Sequence, residues 1–224
     1  MNNSDLAFLW DMDGTIIDTG ESHYTSWKII LEKHGVELER HVFFENFGQN
    51  NQACTPVYLG YQPTPELLNE ISEEKEALFR EVALRQATLV RGVRDWLQAI
   101  NNAGMVQVIA SSAPMDNITE LINKFNLQLF FNDIVSGYEL PAKPAPDVFL
   151  QAASILDRSP DSCCVIEDSI VGVGAAKNAG MTCIAVATSQ HPSKLSMADI
   201  IIDDFSVPIQ DVLRSITSPR LKTR

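Results

Sequence analysis

Positive charge is what this sequence is short of: 17 Lys and Arg stand against 29 Asp and Glu, a formal net charge of −12. Nucleic acid and an anionic membrane surface are thereby excluded as main partners, since both are held by clustered Lys and Arg. An anionic ligand must be captured locally, against the field of the whole molecule, which calls for a metal or a focused pocket. Long apolar runs are also missing. None approaches the roughly 18 residues of a membrane span, and the opening MNNSDL lacks the basic stretch and apolar core of a signal peptide. Cysteine is sparse: Cys54, Cys163, Cys164 and Cys183 show neither C-x-x-C spacing nor a secreted disulfide pattern. Reduced thiols and a cytoplasmic location are expected. There is no internal repeat or low-complexity tract, and the short basic tail SPRLKTR is assigned no function.

What is present is a chain of 224 residues, 45% hydrophobic, enough for one large packed domain or a core with an insertion. Its first informative stretch is LAFLWDMDGTIID, Leu6 to Asp18. The apolar run suits an interior parallel strand covered on both faces. Asp11 and Asp13 follow it at once. At spacing i, i+2 in extended backbone their side chains point the same way, an unfavourable pairing unless a cation, a shared proton or a phosphate compensates it.

From Gly92 onward, helix-like and strand-like segments alternate. GVRDWLQAINNAG reads as a helix with Val93, Trp96, Leu97 and Ile100 on one face, followed by the strand MVQVIAS and by APMDNITELINKFN, a helix with Pro114 near its first turn. NDIVSG, CCVIED and MTCIAVA read as further strands, with APDVFLQAASILD and IVGVGAAKNAG as helices between them. Alternation in CCVIED sends Cys163 and Cys164 to opposite sheet faces. This rhythm predicts an α/β fold, a Rossmann-like doubly wound parallel sheet with helices on both sides. Between Thr19 and Leu89 the rhythm breaks. ESHYTSWKIILEKHG and TPELLNEISEEKEALFREVALRQA read as helices with no strand between them, and Glu73, Glu74 and Glu76 as a solvated helix face. The expected organisation is a core of residues 1–18 and 90–224 with an inserted all-α cap over 19–89. Trp27 and Trp96 are assigned to core packing.

Polar residues stand at the ends of the core strands, the edge where open α/β sheets bind ligands. Ser111 and Ser112 lead from a strand into a helix start, where a hydroxyl and unpaired N–H groups suit phosphate oxygens. Lys143 offers that anion a positive charge. Asp11, Asp168 and Glu167 are carboxylates fit for a hard divalent cation, most naturally Mg²⁺. In this reading Asp11 attacks phosphorus to form an aspartyl-phosphate. Asp13 protonates the leaving oxygen and later activates the water that cleaves the intermediate. Asp13 must then be protonated when substrate binds. Gly14 lets the backbone turn close to the anion.

DMDGT, then SS, then KPAPDVF, then IEDS resemble, in that order, the four motifs of the haloacid dehalogenase superfamily, with similarity to its β-phosphoglucomutase-like phosphatase branch over nearly the whole chain. The resemblance implies Asp11 as nucleophile, Asp13 as acid/base, and Ser111 and Lys143 as phosphate holders. It also implies metal ligation by Asp11, the backbone carbonyl of Asp13, and Asp168, with Glu167 assisting. Segment 19–89 resembles the family's helical cap, which closes over the site and selects the substrate. Two short linkers, near Asp18 to Gly20 and Thr88 to Gly92, are expected to let it move.

Asp13 argues for phosphoester chemistry, because the superfamily's dehalogenases lack a second Asp at that place. The phosphonatases use a cap lysine, and Lys28, Lys33 and Lys75 all lie outside the NFGQNNQA loop. DTGESHYTSWK resembles the sugar phosphomutase hinge at Thr19 and His23; His23 is open to a hinge role or to proton transfer. Gln49, Asn50 and Asn51 offer neutral amides that suit substrate hydroxyls better than a second phosphate. The expected function is a Mg²⁺-dependent phosphatase of a small phosphorylated metabolite, a sugar or polyol phosphate, acting as a monomer or weak homodimer. A sugar phosphomutase is the alternative, and a phospho-binding module without turnover the alternative from another class.

Overall fold

The computed structural model describes residues 6–217. Strands β1 (Ala7–Trp10), β4 (Val106–Ser111), β5 (Asp133–Ser136), β6 (Cys163–Glu167), β7 (Thr182–Val186) and β8 (Ile200–Ile202) form a 6-stranded sheet in the order β5-β4-β1-β6-β7-β8. All neighbours are parallel. β1 lies inside, with Trp10 opposite both Ile109 and Ile166. It is buried at every position, which explains why its sequence shows no alternation. Its side chains nevertheless divide by face: Phe8 and Trp10 pack with Ile109 and Cys164, whereas Ala7 and Leu9 pack with Val108 and Cys163. Cys163 and Cys164 thus part to opposite faces, and all four cysteines are buried thiols without disulfides.

Helices α5 (Val93–Asn102), α6 (Met115–Lys124), α7 (Asp147–Ile155), α8 (Ile170–Asn178) and α9 (Ile209–Thr217) complete this core. Pro114 is the residue immediately before α6, where its missing N–H costs nothing. β8 and α9 are not evident in the sequence pattern. β8 is only three isoleucines, too short for a period. The SPRLKTR tail lies outside the described residues. No helix among the described residues is long and apolar enough to cross a membrane.

A helical cap, α1 (Gly20–Lys33), α2 (Arg40–Asn46), α3 (Asn51–Leu59) and α4 (Pro65–Gln86), rises after β1. Its entry and exit run side by side: β2 (Ile17–Asp18) pairs antiparallel with β3 (Thr88–Leu89). α1 and α4 pack along each other, and Trp27, Ile30, Leu31, Phe43, Tyr58 and Ile71 form a separate apolar cluster in the cap. Two expectations need correction. NFGQNNQA is not one loop: α2 ends at Asn46, and Asn50 caps α3 by accepting from Ala53 N at 3.2 Å, so Asn51 is helical. Glu76 is not on a solvated face. It is buried, because Ile71, Lys75, Phe79 and Ala83 recur at spacing four on the side of α4 that faces the rest of the molecule, and Glu76 lies next to that stripe.

Candidate active site

β1 ends at Trp10, but Asp11 N still donates to Ile166 O at 3.0 Å, so the first carboxylate is held in register with the sheet edge. Lys143 Nζ donates to Asp11 Oδ1 at 2.6 Å and to Glu167 Oε1 at 2.8 Å, with all three side chains buried. The other Glu167 oxygen accepts from Asp168 N, Ser169 N and Ser169 Oγ. Both Glu167 oxygens are therefore occupied by protein donors. Glu167 fixes the lysine and the start of α8.

Asp168 is different. Its Oδ1 accepts from Thr15 Oγ1 at 3.3 Å, while its Oδ2 is buried without a hydrogen-bond partner. Gly14 leaves the room for it: with φ at +82°, a Cβ there would lie 2.0 Å from Asp168 Oδ2. An orphaned carboxylate oxygen in the interior is costly unless a cation or donor reaches it. Burial, then the charges of Glu167 and Asp11, hold the Asp168 carboxyl well above its usual range. Burial likewise pushes Asp11 up to about 8, against the pull of Lys143 and with help from Glu167 and Asp13. One lysine does not balance these carboxylates, so the cluster fits a divalent cation. Among the described residues no three His, Cys, Asp or Glu side chains form a closed cage. A Mg²⁺-type site takes one or two carboxylates and completes its shell with carbonyl, water and phosphate oxygens.

Asp13 faces the cap. Its Oδ1 accepts from Thr19 Oγ1 at 2.7 Å and lies 3.2 Å from His23 Nε2, at the root and first turn of α1. Lys75 Nζ lies 3.0 Å from His23 Nδ1 and 2.7 Å from Glu76 Oε1. An ammonium has no acceptor, so Lys75 donates to Nδ1; the ring proton sits on Nε2 and is donated to Asp13. Burial and the Lys75 charge depress the His23 pKa, so the ring is neutral. Burial works to raise Asp13, but its interactions with His23, then the Thr19 bond and the Lys75 charge, keep the carboxyl below its usual range. In this closed arrangement Asp13 is ionised, the form of a general base. The acid form needed for the leaving group requires Asp13 to take up a proton from solvent as the negative charge of the substrate arrives beside it.

The two serines diverge. Ser111 Oγ accepts from Ala113 N at 3.1 Å inside the turn into α6, which leaves its own proton to donate. Ser112 Oγ instead donates to Gly48 O of the cap at 2.8 Å. Of the three cap amides, Asn50 Nδ2 donates to Tyr138 O and Leu140 O of the core, and Asn51 Nδ2 donates to Glu76 Oε1 at 2.8 Å. Gln49 holds only a 3.5 Å contact with Asn46 Oδ1 and is the amide least engaged. Lys75 and Glu76 are the members that sequence reading passed over. The four-residue spacing that buries Lys75 was the available signal.

A cavity of about 40 Å³ lies between cap and core, with Asp11, Asp13 and Ser111 at its floor and Trp27, Phe43 and Tyr58 among its cap walls. It has room for about two to four waters. Cys54 also lines it, but burial pushes that thiol up to about 12, which removes it as a nucleophile.

A family profile described as haloacid dehalogenase-like hydrolase matches residues 8–186. The chain is 29% identical over 194 residues to a β-phosphoglucomutase of Bacillus subtilis, covering 82% of this chain and 84% of that one. It is 27% identical over 201 residues to hexitol phosphatase B of Escherichia coli, covering 87% and 90%. In three dimensions it resembles a β-phosphoglucomutase crystal structure from Clostridium difficile, with a TM-score of 0.85 at 21% identity over 93% of this chain and 96% of that one. The profile spans β1, the cap and the sheet through β7, and so takes in the strand ends that supply the carboxylates and the loop after β5 that supplies the lysine: this chain is an enzyme of the haloacid dehalogenase-like hydrolase family, of its phosphatase and phosphomutase kind.

Proposed function

We propose that this enzyme is a phosphatase that hydrolyses a small phosphorylated metabolite with an uncharged remainder, a sugar or polyol phosphate, through an aspartyl-phosphate on Asp11. The observation that carries the reading is the pair of carboxylates two residues apart with opposite surroundings. Asp11 is tied to Lys143 and the acidic cluster, and Asp13 to Thr19 and His23 of the cap. Environments that push two neighbouring acids apart assign them separate tasks. Lys143 occupies Asp11 Oδ1, leaving Oδ2 to attack phosphorus. Ser111 and Lys143 hold the phosphoryl oxygens. Asp13 gives a proton to the departing alkoxide and, once ionised again, takes one from the water that attacks the acyl phosphate; that water releases phosphate and restores Asp11. Asp11, Asp168 and the Asp13 carbonyl would hold Mg²⁺, which would supply the charge neutralisation that lets a carboxylate approach a phosphate dianion.

Phosphatase is preferred to mutase because the cap side of the cavity has no cation to spare for a second phosphate. Lys75 is engaged with Glu76 and His23, and the Glu76 carboxylate would repel an anion there. The relatives divide between the two activities, one a mutase and one a hexitol phosphatase.

Phosphate release from a panel of sugar, polyol and nucleotide monophosphates and phosphoglycolate tests this, with Asp11→Asn as the blank. Release concentrated on one or two polyol or sugar phosphates, abolished by EDTA and restored by Mg²⁺, is expected. Transfer from phosphorylated Asp11 to a hexose phosphate faster than to water would make the enzyme a mutase. A full panel without release would leave the mutase and the non-turnover module.

A further inference from the structure

Asn117 lies on the core helix α6, has no exposed surface, and belongs to none of the motifs above. Its amide is gripped by two cap residues one turn apart on α4. Arg80 Nη1 donates to Asn117 Oδ1 at 2.9 Å, and Asn117 Nδ2 donates to Glu76 Oε2 at 2.5 Å. The Arg80 bond fixes which end of the amide faces Glu76, because a guanidinium donates only and must find the oxygen. Glu76 is a junction, since its Oε1 accepts from both Lys75 and Asn51. From Lys75 the chain runs through His23 Nδ1 and Nε2 to Asp13 Oδ1. A continuous buried line of hydrogen bonds thus connects a core helix, by way of the cap, to the group that moves protons.

At its far end this line crosses from cap to core at Asn117 and Glu76, reinforced by Arg80. If the cap swings away, Glu76 loses that donor, and the carboxylate that orients Lys75 is released toward water. A half-satisfied buried network is soft, and a satisfied one is rigid. We propose that Asn117 is a positioning residue for Asp13: its amide, clamped between Glu76 and Arg80, completes the Glu76–Lys75–His23 line that presents a ring N–H to Asp13, and does so only with the cap closed. This rests on the reading of Asp13 as the acid/base group. It ties proton transfer to closure, so an open enzyme does not present a correctly held acid.

Leaving-group dependence gives the test. Release of an alkoxide from a polyol phosphate needs the proton from Asp13, whereas 4-nitrophenolate leaves with far less help. kcat/KM is measured for both substrates in Asp13→Ala, Asn117→Leu and, should the leucine variant not fold, Arg80→Met. In Asp13→Ala, a loss much larger on the polyol phosphate than on 4-nitrophenyl phosphate supports the acid assignment; equal losses would overturn that assignment itself. Given the first result, Asn117→Leu is expected to fall about tenfold or more further on the polyol phosphate than on the nitrophenyl ester, a part of the roughly 10²–10⁴ available to acid/base catalysis. Arg80→Met should show the same asymmetry to a smaller extent. An equal fall on both substrates would mean that Asn117 merely supports the fold or the cap, and would overturn the proposal. A second readout needs no turnover. In histidine-¹⁵N-labelled protein, His23 should show the Nε2–H tautomer in the wild type and a mixture of tautomers in Asn117→Leu; an unchanged tautomer would also refute it.

Discussion

At Gly14 a single methyl group would act on both backbone and site. The residue sits at φ +82°, where an L side chain is strained, and its Cβ would fall 2.0 Å from Asp168 Oδ2. Relief is not available from a flexible neighbour, because that carboxylate belongs to a fully buried cluster. Gly14→Ala should therefore cost about 1–3 kcal/mol in stability from the strained backbone, and should weaken Mg²⁺ activation by displacing Asp168. Thermal unfolding and the Mg²⁺ dependence of phosphate release check the two effects separately. Glu76 offers a pH-dependent counterpart. Burial tends to raise its carboxyl, but the Lys75 charge and the hydrogen bonds from Lys75 and Asn51 hold it below the ordinary 4.5. A carboxyl depressed in the folded state contributes stability that is present above its unfolded pKa and lost as pH falls through the folded value. Glu76→Gln, which leaves Lys75 buried without its anion, should be less stable than the wild type at pH 7 by about 3 kcal/mol. That gap should shrink as pH drops below 4.5. Melting curves of both proteins at pH 7 and pH 4 measure it, and a constant gap would show that Glu76 is not the anion the network depends on.

Elements are held together by such residues as well. Gln107 on β4 accepts from Trp10 Nε1 at 3.0 Å, and its Nε2 donates to Leu97 O and Asn101 Oδ1 of α5 and to Phe130 O. The side chain is fully buried, so one amide joins β1, β4 and α5 on a single sheet face. Gln107→Leu keeps the volume but leaves the indole N–H without its acceptor and takes a donor from Leu97 O, Asn101 Oδ1 and Phe130 O. A loss of about 2–4 kcal/mol is expected, measurable as a lower urea midpoint with an unchanged slope; a loss below about 1 kcal/mol would mean that water or a rotamer change satisfies them. The sequence hides this element-joining role because a glutamine in MVQVIAS reads as a polar interruption of a strand. What is legible follows from local chemistry. β1, β4, β6 and β7 announce themselves as apolar runs, and Asp11, Asp13, Lys143 and Asp168 as the polar residues that end or follow strands. α2 and α3 escape because Gly48 and Pro56 interrupt FFENFGQNNQACTPVYL. The pairing of β2 with β3 escapes because two-residue strands have no period. Lys75, Glu76 and Asn117 acquire meaning only when α4 packs between α1 and α6, a tertiary event that their own segments do not encode.

The whole molecule is asymmetric in how cap and core adhere. At the hinge end, Phe79, Ala83 and Ala87 join the same apolar cluster as Ile16, Ile17, Val90 and Ile118 of the core. Away from it the contacts are polar: Asn117 to Glu76, and at the far edge Ser112 to Gly48 O, Asn50 to Tyr138 O and Leu140 O, and Gln190 to Phe44 O. Apolar burial resists separation in proportion to area, whereas each of these hydrogen bonds can be exchanged for one with water at a net cost of about 1 kcal/mol. The cap should therefore pivot about the β2–β3 pair and part at the edge that carries Gly48 and Asn50. Parting is required, since a cavity of about 40 Å³ does not admit a sugar phosphate. Exclusion of water during attack and its admission afterwards require the reverse motion as well. Amide hydrogen exchange should report it. Residues 46–51, 17–20 and 88–92 should exchange more slowly in the presence of Mg²⁺ and beryllium fluoride, which imitates the phosphorylated Asp11, while β1 and β6 stay equally protected in both states. If the edge segment alone slows and the hinge strands do not, closure is a local ordering of the α2–α3 turn. If none of them slows, the closed state is held without ligand, and substrate must enter by a path that leaves the cap in place.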